Sequence, residues 1–435
     1  MGDESPLFAW HWELEGILQG VGFRPALYRL ATSLELGGWV ENHCGNVRLT
    51  VIGPDSALLR FQSSLPDHLP VHARLDRVNA GEKIPVQGPA GSFVIRDSRE
   101  DDPVRITIPT DLAVCPECRR EVLDPADRRH GYPFTSCPQC GPRYTVLRRL
   151  PYDRDHTSLD RFPLCPACLA EYENPGNRRF HAESMACPQC GPRVEMRGPE
   201  GELLADQGWS GVRRSLMSGN IVALRGLGGF QLIVDSRHRE ALHRLRRVKQ
   251  RPHKPLAVMA RSLEVVRRFC HVGAEEEALL ASASAPIVIL EIRQEASGLG
   301  HALDLLTPDS PTLGVMLPTT PCHLLLFHPL PGDDLPPTDL LMVTSGNRGG
   351  EPICTDNEEA LKHLRGLADR FILHDREIVR RNDDGVTVVR EGHPQVWRRA
   401  RGMVPTVLRA PRPLRRSVLA MGADLKNTVA LGQGY

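Results

Sequence analysis

Three patterns predict a multidomain α+β protein, in which a ferredoxin-like domain, tandem four-cysteine zinc modules and a larger α/β domain with a twisted sheet follow one another. Residues 8–98 read as strands and helices in the order βαββαβ, which is the ferredoxin-like arrangement. Eight of the 12 cysteines fall in four C-x2-C pairs between positions 115 and 190. From Val212 onward, short apolar strands alternate with helical patterns and glycine turns, as in α/β folds. A length of 435 residues leaves room for several domains at about 100 to 200 residues each. The balance of 54 Lys+Arg against 53 Asp+Glu removes a whole-chain electrostatic case for nucleic-acid binding. No apolar run approaches the roughly 18 residues that a membrane helix needs. The start, MGDESPLFAW, lacks a basic segment before its short apolar patch, which argues against a secretory signal and for a cytoplasmic location.

In the first segment, Phe8–Leu18 reads as a strand and Gln19-Gly20-Val21-Gly22-Phe23-Arg24 as a loop. Pro25–Leu36 then reads as a helix with proline in its first turn and Gly37-Gly38 closing it. Trp39–Asn42 and Val47–Ile52 are expected strands around a Cys44-Gly45-Asn46 turn. A helix over Pro54–Leu65 and a last strand near Ser92–Asp97 complete the order. A glycine loop between a strand end and a helix start exposes successive amides to an anion, and Arg24 adds a bidentate fork suited to phosphate.

The cysteine pairs are Cys115/Cys118, Cys137/Cys140, Cys165/Cys168 and Cys187/Cys190. Each cysteine recurs 50 residues later, and CPQCGPR stands at both 137–143 and 187–193, so the unit is a tandem duplication spanning roughly 105–200. A two-residue spacer lets one tight turn aim two thiolates at one ion, and four thiolates close a tetrahedral zinc shell with no position left for water. Two structural Zn2+ ions are therefore expected, paired either within each repeat or across the repeats. Residues 105–200 carry 14 arginines and 13 carboxylates, so eight thiolates around two Zn2+ leave the segment net negative. That argues against a phosphate-tracking nucleic-acid surface and for a scaffold. Cys44, Cys270, Cys322 and Cys354 have no such partners and read as plain thiols.

In the third segment, Ile221–Leu224 reads as a buried strand followed by Gly226-Leu227-Gly228-Gly229. A basic helix and turn then place eight Lys/Arg and one acid, Glu240, between Arg237 and Lys254. Pro252 and Pro255 stiffen the turn that carries Lys249, Arg251 and Lys254, the cations expected on a triphosphate. Thr344, Ser345 and Asn347 end an apolar strand in groups fit for phosphate or ribose, and His374-Asp375-Arg376 follows. Arg380-Arg381-Asn382-Asp383-Asp384 and Arg398-Arg399-Ala400-Arg401 add further charge.

Together with Gly-Trp-Val-Glu-Asn at 38–42, the glycine loop resembles the acylphosphatase signature over residues 8–98. The resemblance implies that Gln19, Gly20, Val21, Gly22, Phe23 and Arg24 hold a phosphate while Asn42 orients the attacking water. The Lys-Arg stretch, the Thr-Ser-Gly-Asn turn and His-Asp-Arg together resemble the YrdC-like carbamoyl-adenylate-forming domain over 205–397. It implies nucleotide binding by Arg225, Lys249, Arg251, Lys254, Thr344, Ser345, Asn347, His374 and Arg376, with Arg225 standing where that family commonly has lysine.

In this order the three modules resemble the HypF family, the carbamoyltransferases of nickel-iron hydrogenase maturation. The family relation implies hydrolysis of carbamoyl phosphate and adenylation of the carbamate by ATP, with Mg2+. A further domain then transfers the carbamoyl group to the C-terminal cysteine of the partner HypE. Residues 398–435 read as a linker and the start of that domain, with 419–435 resembling its first strands, so a truncated product or fragment is expected. Two competing readings are an RNA-linked factor related to tRNA threonylcarbamoylation and a binding scaffold without catalysis of its own.

Overall fold

The computed structural model describes residues 6–43, 45–98, 108–294, 302–408, 410–422 and 428–433, so Cys44 lies outside the described residues. The chain divides into two compact units, one of residues 1–110 with 135–191 and the other of residues 111–134 with 192–435. No helix among the described residues is long and apolar enough to cross a membrane.

The first unit is built on a five-stranded sheet. Strand β1 (Leu7–Ile17) places Trp10, Trp12 and Leu14 at alternate positions on the core side, where Trp12 meets Phe61 edge-on at 5.8 Å. Helix α1 (Phe23–Ser33), β2 (Gly37–His43), β3 (Asn46–Pro54) and α2 (Asp55–Ser64) follow. They are succeeded by β4 (Arg74–Val86) and β5 (Phe93–Ile95), giving the strand order β4-β1-β3-β2-β5.

Three expectations shift here. Helix α1 begins at Phe23, two residues before Pro25, because Gly22 caps it at φ 81° and puts Arg24 inside the first turn. It ends at Ser33, since Glu35 turns to φ 55°, and Gly37-Gly38 belong to β2 instead of closing the helix. The fourth strand of the ferredoxin-like core is β4, not the segment near 92–97, which forms β5 as an added parallel edge beside β2. Strand β4 escapes a reading by hydrophobic alternation because it is an edge strand rich in exposed charge, with Pro85 near its end.

The second unit holds a ten-stranded mixed sheet. Its strands are β6 (Val194–Arg197), β7 (Val222–Arg225), β8 (Phe230–Asp235), β9 (Ala257–Ala260), β10 (Ile287–Glu291), β11 (Thr312–Met316), β12 (Leu340–Ser345), β13 (Arg370–His374), β14 (Val386–Arg390) and β15 (His393–Arg398). They run in the order β15-β14-β10-β11-β9-β12-β8-β7-β13-β6. Both faces are covered: Leu232, Val234 and Met342 enter one core with Leu242 and Leu245, whereas Ile233, Leu341 and Val343 enter the other with Leu325 and Phe327. Strands buried on both sides read as unbroken apolar runs, which is why β7 and β12 stand out in the sequence. Strands β7 and β8 form a hairpin around Gly226–Gly229, and β12 pairs antiparallel with β8, so the glycine turn and the Thr344-Ser345 end come side by side. The basic helix spans Arg239–Val248 only; Gln250 leaves it at φ 49°, and the residues to Leu256 are irregular.

Candidate active sites and metal centres

The phosphate loop links β1 to α1. Gly20 and Gly22 take φ of 68° and 81°, a region that favours glycine over residues with a side chain, while Val21 and Phe23 are buried in the core. Gln19 is engaged in structure: its Nε2 donates to Asn46 O at 3.2 Å and its Oε1 accepts from Tyr152 N at 3.1 Å. The loop is therefore left with backbone groups and Arg24 as its contribution to a ligand. Arg143, from the CPQCGPR stretch, fixes it from below, donating from Nε to Gly20 O at 2.9 Å.

Arg24 is buried and its donors converge on acceptors. Nη2 reaches Asp153 Oδ1 at 2.8 Å and Glu183 Oε1 at 3.3 Å, and Nη1 reaches Ser98 Oγ at 3.5 Å. With the amide of Asn42 oriented to face donors with its oxygen, Asn42 accepts from Arg24 Nη2 at 3.1 Å and Nε at 3.3 Å. The structure thus brings Arg24 and Asn42 together. Burial pulls the Arg24 guanidinium toward neutrality, but Asp153 and Glu183 more than offset this and raise its pKa. Burial pushes the Glu183 carboxyl up to about 7, with Arg24 opposing and Asp153 adding to the rise. His181, in the same wall, is held at about 4 by burial and then by Arg24. The loop, Arg24, Tyr152, His181 and Glu183 enclose a cavity of about 20 Å³. That is roughly the room of one water molecule.

The eight paired thiols gather in two sets, Cys115/Cys118/Cys137/Cys140 and Cys165/Cys168/Cys187/Cys190, the sulfurs of each set lying within 4.8 Å of one another. Pairing is therefore within each repeat. In both, the first cysteine precedes a helix with proline in its first turn (Pro116–Leu123 and Pro166–Glu173), and the second pair sits on a knuckle whose Cys140 N and Cys190 N donate to Cys137 O and Cys187 O at 3.2 Å. Sγ–Sγ separations of 3.7 to 3.8 Å match the edge of a tetrahedron with Zn–S near 2.3 Å. Seven of the eight cysteines are buried, and the two four-thiolate clusters fit two structural zinc ions. Elsewhere burial pushes Cys270 and Cys322 up to about 12 and Cys354 up to about 11, which keeps them neutral thiols.

In the second unit a cavity of about 370 Å³ opens at the ends of β8 and β12, with Arg251, Lys254, Thr344 and Ser345 in its wall. This is a volume suited to a small ligand. Arg251 Nη1 donates to Thr344 Oγ1 at 2.9 Å. Lys249 Nζ donates to Ser345 O at 2.5 Å and Asn347 Oδ1 at 3.1 Å, and Ser345 Oγ donates to the same Asn347 oxygen at 2.7 Å. Gly346 permits this corner, since a Cβ there would lie 2.5 Å from Phe230 Cβ. Burial, then Arg246 and Arg398, lowers the Arg251 pKa to about 10.

Arg225, His374 and Arg376 gather elsewhere, outside the wall of this cavity. Arg225 Nη1 donates to Asn357 Oδ1 at 2.9 Å and His374 O at 2.5 Å, while Arg376 lies over the Phe134 ring at 5.1 Å. Burial holds His374 neutral, with Arg376 and Arg225 acting in the same direction.

Two wall residues, Gln231 and His323, carry no signal in the sequence, and they join Asp384 and Arg401, which the sequence marks only as charge. His323 Nε2 pairs with Gln231 Oε1 at 2.8 Å, and Gln231 Nε2 donates to Asp384 Oδ2 at 3.0 Å. Arg401 Nε completes the chain on Asp384 Oδ1 at 2.8 Å. Burial raises the Asp384 pKa, but Arg401 outweighs it and lowers the net value. Arg246 donates from Nη1 to the carbonyls of Arg251 at 2.6 Å, Pro252 at 3.1 Å and Lys254 at 3.3 Å, clamping the turn that carries the cations. Charge counting alone cannot separate this structural arginine from its neighbours.

Comparison with known proteins places each part. Residues 10–95 match the acylphosphatase family, 114–147 and 164–196 the HypF finger, and 214–400 the Sua5/YciO/YrdC family described as telomere recombination. Carbamoyltransferase HypF2 of Cupriavidus necator is 45% identical over 97% of this chain and 53% of its own length. Carbamoyltransferase HypF of a Synechocystis species is 43% identical over the same shares. A crystal structure of full-length HypF in the phosphate- and nucleotide-bound form superposes with a TM-score of 0.90 at 38% identity, covering 99% of this chain and 55% of that one. The chain spans about half the length of the curated relatives it matches. With such identity running through nearly all of its residues, and with the finger, acylphosphatase and YrdC-type matches in one order, the chain belongs to the HypF family.

Proposed function

We propose that the chain carries the first two chemical steps of a HypF-type carbamoyltransferase. The modules are then an acylphosphatase-like domain over 8–98, the zinc repeats over 105–200, a YrdC-like domain over 205–397, and a linker with the start of a transferase domain over 398–435. Carbamoyl phosphate binds on the amides of Gly20 to Phe23 with Arg24 neutralising its charge. Asn42 orients a water whose oxygen bonds to phosphorus as the bond to the carbamoyl oxygen breaks, leaving carbamate and phosphate and releasing a proton. Both products start from a dianion, so a fixed cation supplies what the leaving group needs. In the second unit, a carbamate oxygen attacks the α-phosphorus of MgATP and pyrophosphate departs, with Lys249, Arg251 and Lys254 on the phosphates and Thr344, Ser345 and Asn347 on the nucleotide. The magnesium shields the triphosphate charge when bound. Arg225 and Arg376 belong to the same unit and flank the neutral His374 as a second nucleotide-facing group. The carbamoyl-AMP is then the donor to the C-terminal cysteine of HypE, a step that belongs to the part of the relatives outside this chain.

The observation that carries this reading is the Arg24–Asn42 pair beside a glycine loop, present in the same chain as the Lys249–Asn347 and Arg251–Thr344 pairs. The RNA-linked reading leaves the first of these without a task. The test is pyrophosphate release from ATP by the full chain. It is expected to require carbamoyl phosphate, to fall about 10²- to 10³-fold in Arg24→Ala, and to return when carbamate is supplied directly. Release indifferent to carbamoyl phosphate would refute the proposal.

A further inference from the structure

The guanidinium expected to receive a phosphoryl group is already engaged by two carboxylates of its own chain. Arg24 donates to Asp153 and Glu183, 129 and 159 residues away in sequence, beside a small cavity that Glu183 itself lines. A phosphoryl dianion therefore gains Nη2 of Arg24 only if one of these carboxylates moves or changes charge. Asp153 keeps a fifth of its side chain exposed, whereas the Glu183 side chain is 4% exposed and lines the cavity itself. Resting on the reading of Arg24 as the phosphate ligand, we propose that Glu183 is a latch on Arg24 that opens by taking up a proton when a phosphoryl dianion enters.

The surroundings of Glu183 fit this role. Arg24 from α1 faces its Oε1, the Tyr172 hydroxyl from the helix Pro166–Glu173 donates to Oε2 at 3.0 Å, and the Arg154 amide donates to Oε2 at 3.2 Å. The Arg154 guanidinium is occupied by the Glu183 and Met185 carbonyls at 2.7 and 2.9 Å, so it holds the backbone in place and leaves the carboxylate to Arg24. Asp153 lies beyond Arg24 and His181 stands in the same wall, held neutral by burial. As an ion, Glu183 competes with the phosphoryl oxygens for Nη2 and repels them. Once a solvent proton adds to its carboxylate, that oxygen leaves Arg24 to the ligand and Asp153 remains as the counter-charge. When phosphate departs, the proton returns to solvent and the pair re-forms. Glu183 is thus a positioning residue that acts through Arg24. Its carboxyl titrates about where the switch must work, at about 7.

The sign follows directly. Binding of a dianion is strongest where Glu183 is protonated and weakens as pH rises through about 7. For the full chain, KM for carbamoyl phosphate is expected to climb up to about tenfold per pH unit above that point, with kcat changing much less. Glu183→Gln keeps the shape without the charge and should give a flat, low KM over the same range. Tyr172→Phe removes a hydrogen bond that favours the ionised form and should move the break to higher pH. Sulfate, a tetrahedral dianion throughout, should bind with uptake of about one proton near pH 8 in the native chain and none in Glu183→Gln, as read by calorimetry in buffers of different ionisation heat. A Glu183→Gln chain that keeps the native KM slope, or that loses kcat at unchanged KM, overturns the latch, as does sulfate binding without proton uptake. If the native chain turns over no carbamoyl phosphate yet couples sulfate to a proton, the hydrolytic reading fails and the latch stands.

Discussion

A buried guanidinium has to find acceptors for its N–H groups, and the three arginines Arg24, Arg143 and Arg246 find them in different ways. Arg143 and Arg246 direct theirs to carbonyls and so fix loops; Arg24 faces side chains that can exchange for a ligand. Only the last kind suits chemistry. Asn42 shares the Arg24 guanidinium and is itself 1% exposed, so its amide is held in place before water arrives. Asn42→Ala is therefore expected to lower kcat for acyl phosphate hydrolysis about 10²-fold with little change in KM, measured by phosphate release. A change confined to KM would mean that Asn42 binds phosphate and does not orient water. Arg24 and Asn42 were legible in the sequence because both belong to a short local pattern around one loop and one strand. Asp153 and Glu183 were not, since carboxylates so distant along the chain carry no mark of the arginine they meet.

At the scale of elements, the zinc repeats and the corners of the sheet impose the strictest geometry. Each four-cysteine unit joins a helix start to a knuckle and encloses few apolar side chains; in the second, Ala182 and Met185 are the buried apolar residues clustered with its thiols. Folding free energy there must come largely from the metal, on the order of 10 kcal/mol for structural zinc sites. Cys168→Ser should reduce zinc from two ions per chain to one by elemental analysis and expose the 165–190 segment to proteolysis. The Gly346 corner is as narrow. Gly346→Ala forces a Cβ to within 2.5 Å of Phe230 Cβ, so a loss of about 1 to 3 kcal/mol is expected in chemical denaturation, with ATP affinity falling as Ser345 and Asn347 shift. Local patterns announced these features, because the spacing of cysteines and the glycine after an apolar strand are both read within a few residues. Strand β4 went unread for the opposite reason: its partner β1 lies some sixty residues earlier, and that pairing, more than its own composition, makes it a strand.

Across the whole molecule, near-neutral net charge hides unlike parts. The basic stretch from Arg237 to Lys254 resolves into arginines paired with Asp235, Asp304 and Asp369, one clamp at Arg246, Lys249 bonded to Ser345 and Asn347, and Arg251 and Lys254 in the wall of the large cavity. The order of modules was readable from end to end, since each carries its own signature. The strand order of the ten-stranded sheet was not, because register across a crossover depends on packing between distant segments. The carbamate rescue of Arg24→Ala belongs to this scale: it asks whether a lesion in one module can be bypassed by feeding the next.

The Arg246 clamp has a thermodynamic consequence for that next module. By tying three carbonyls of one turn to a helix, it orders the turn while the protein folds, before any ligand is present. The entropy of fixing Arg251 and Lys254 is then a cost of folding and not of association, so under the proposed function Arg246 would strengthen nucleotide binding through the turn that it orders.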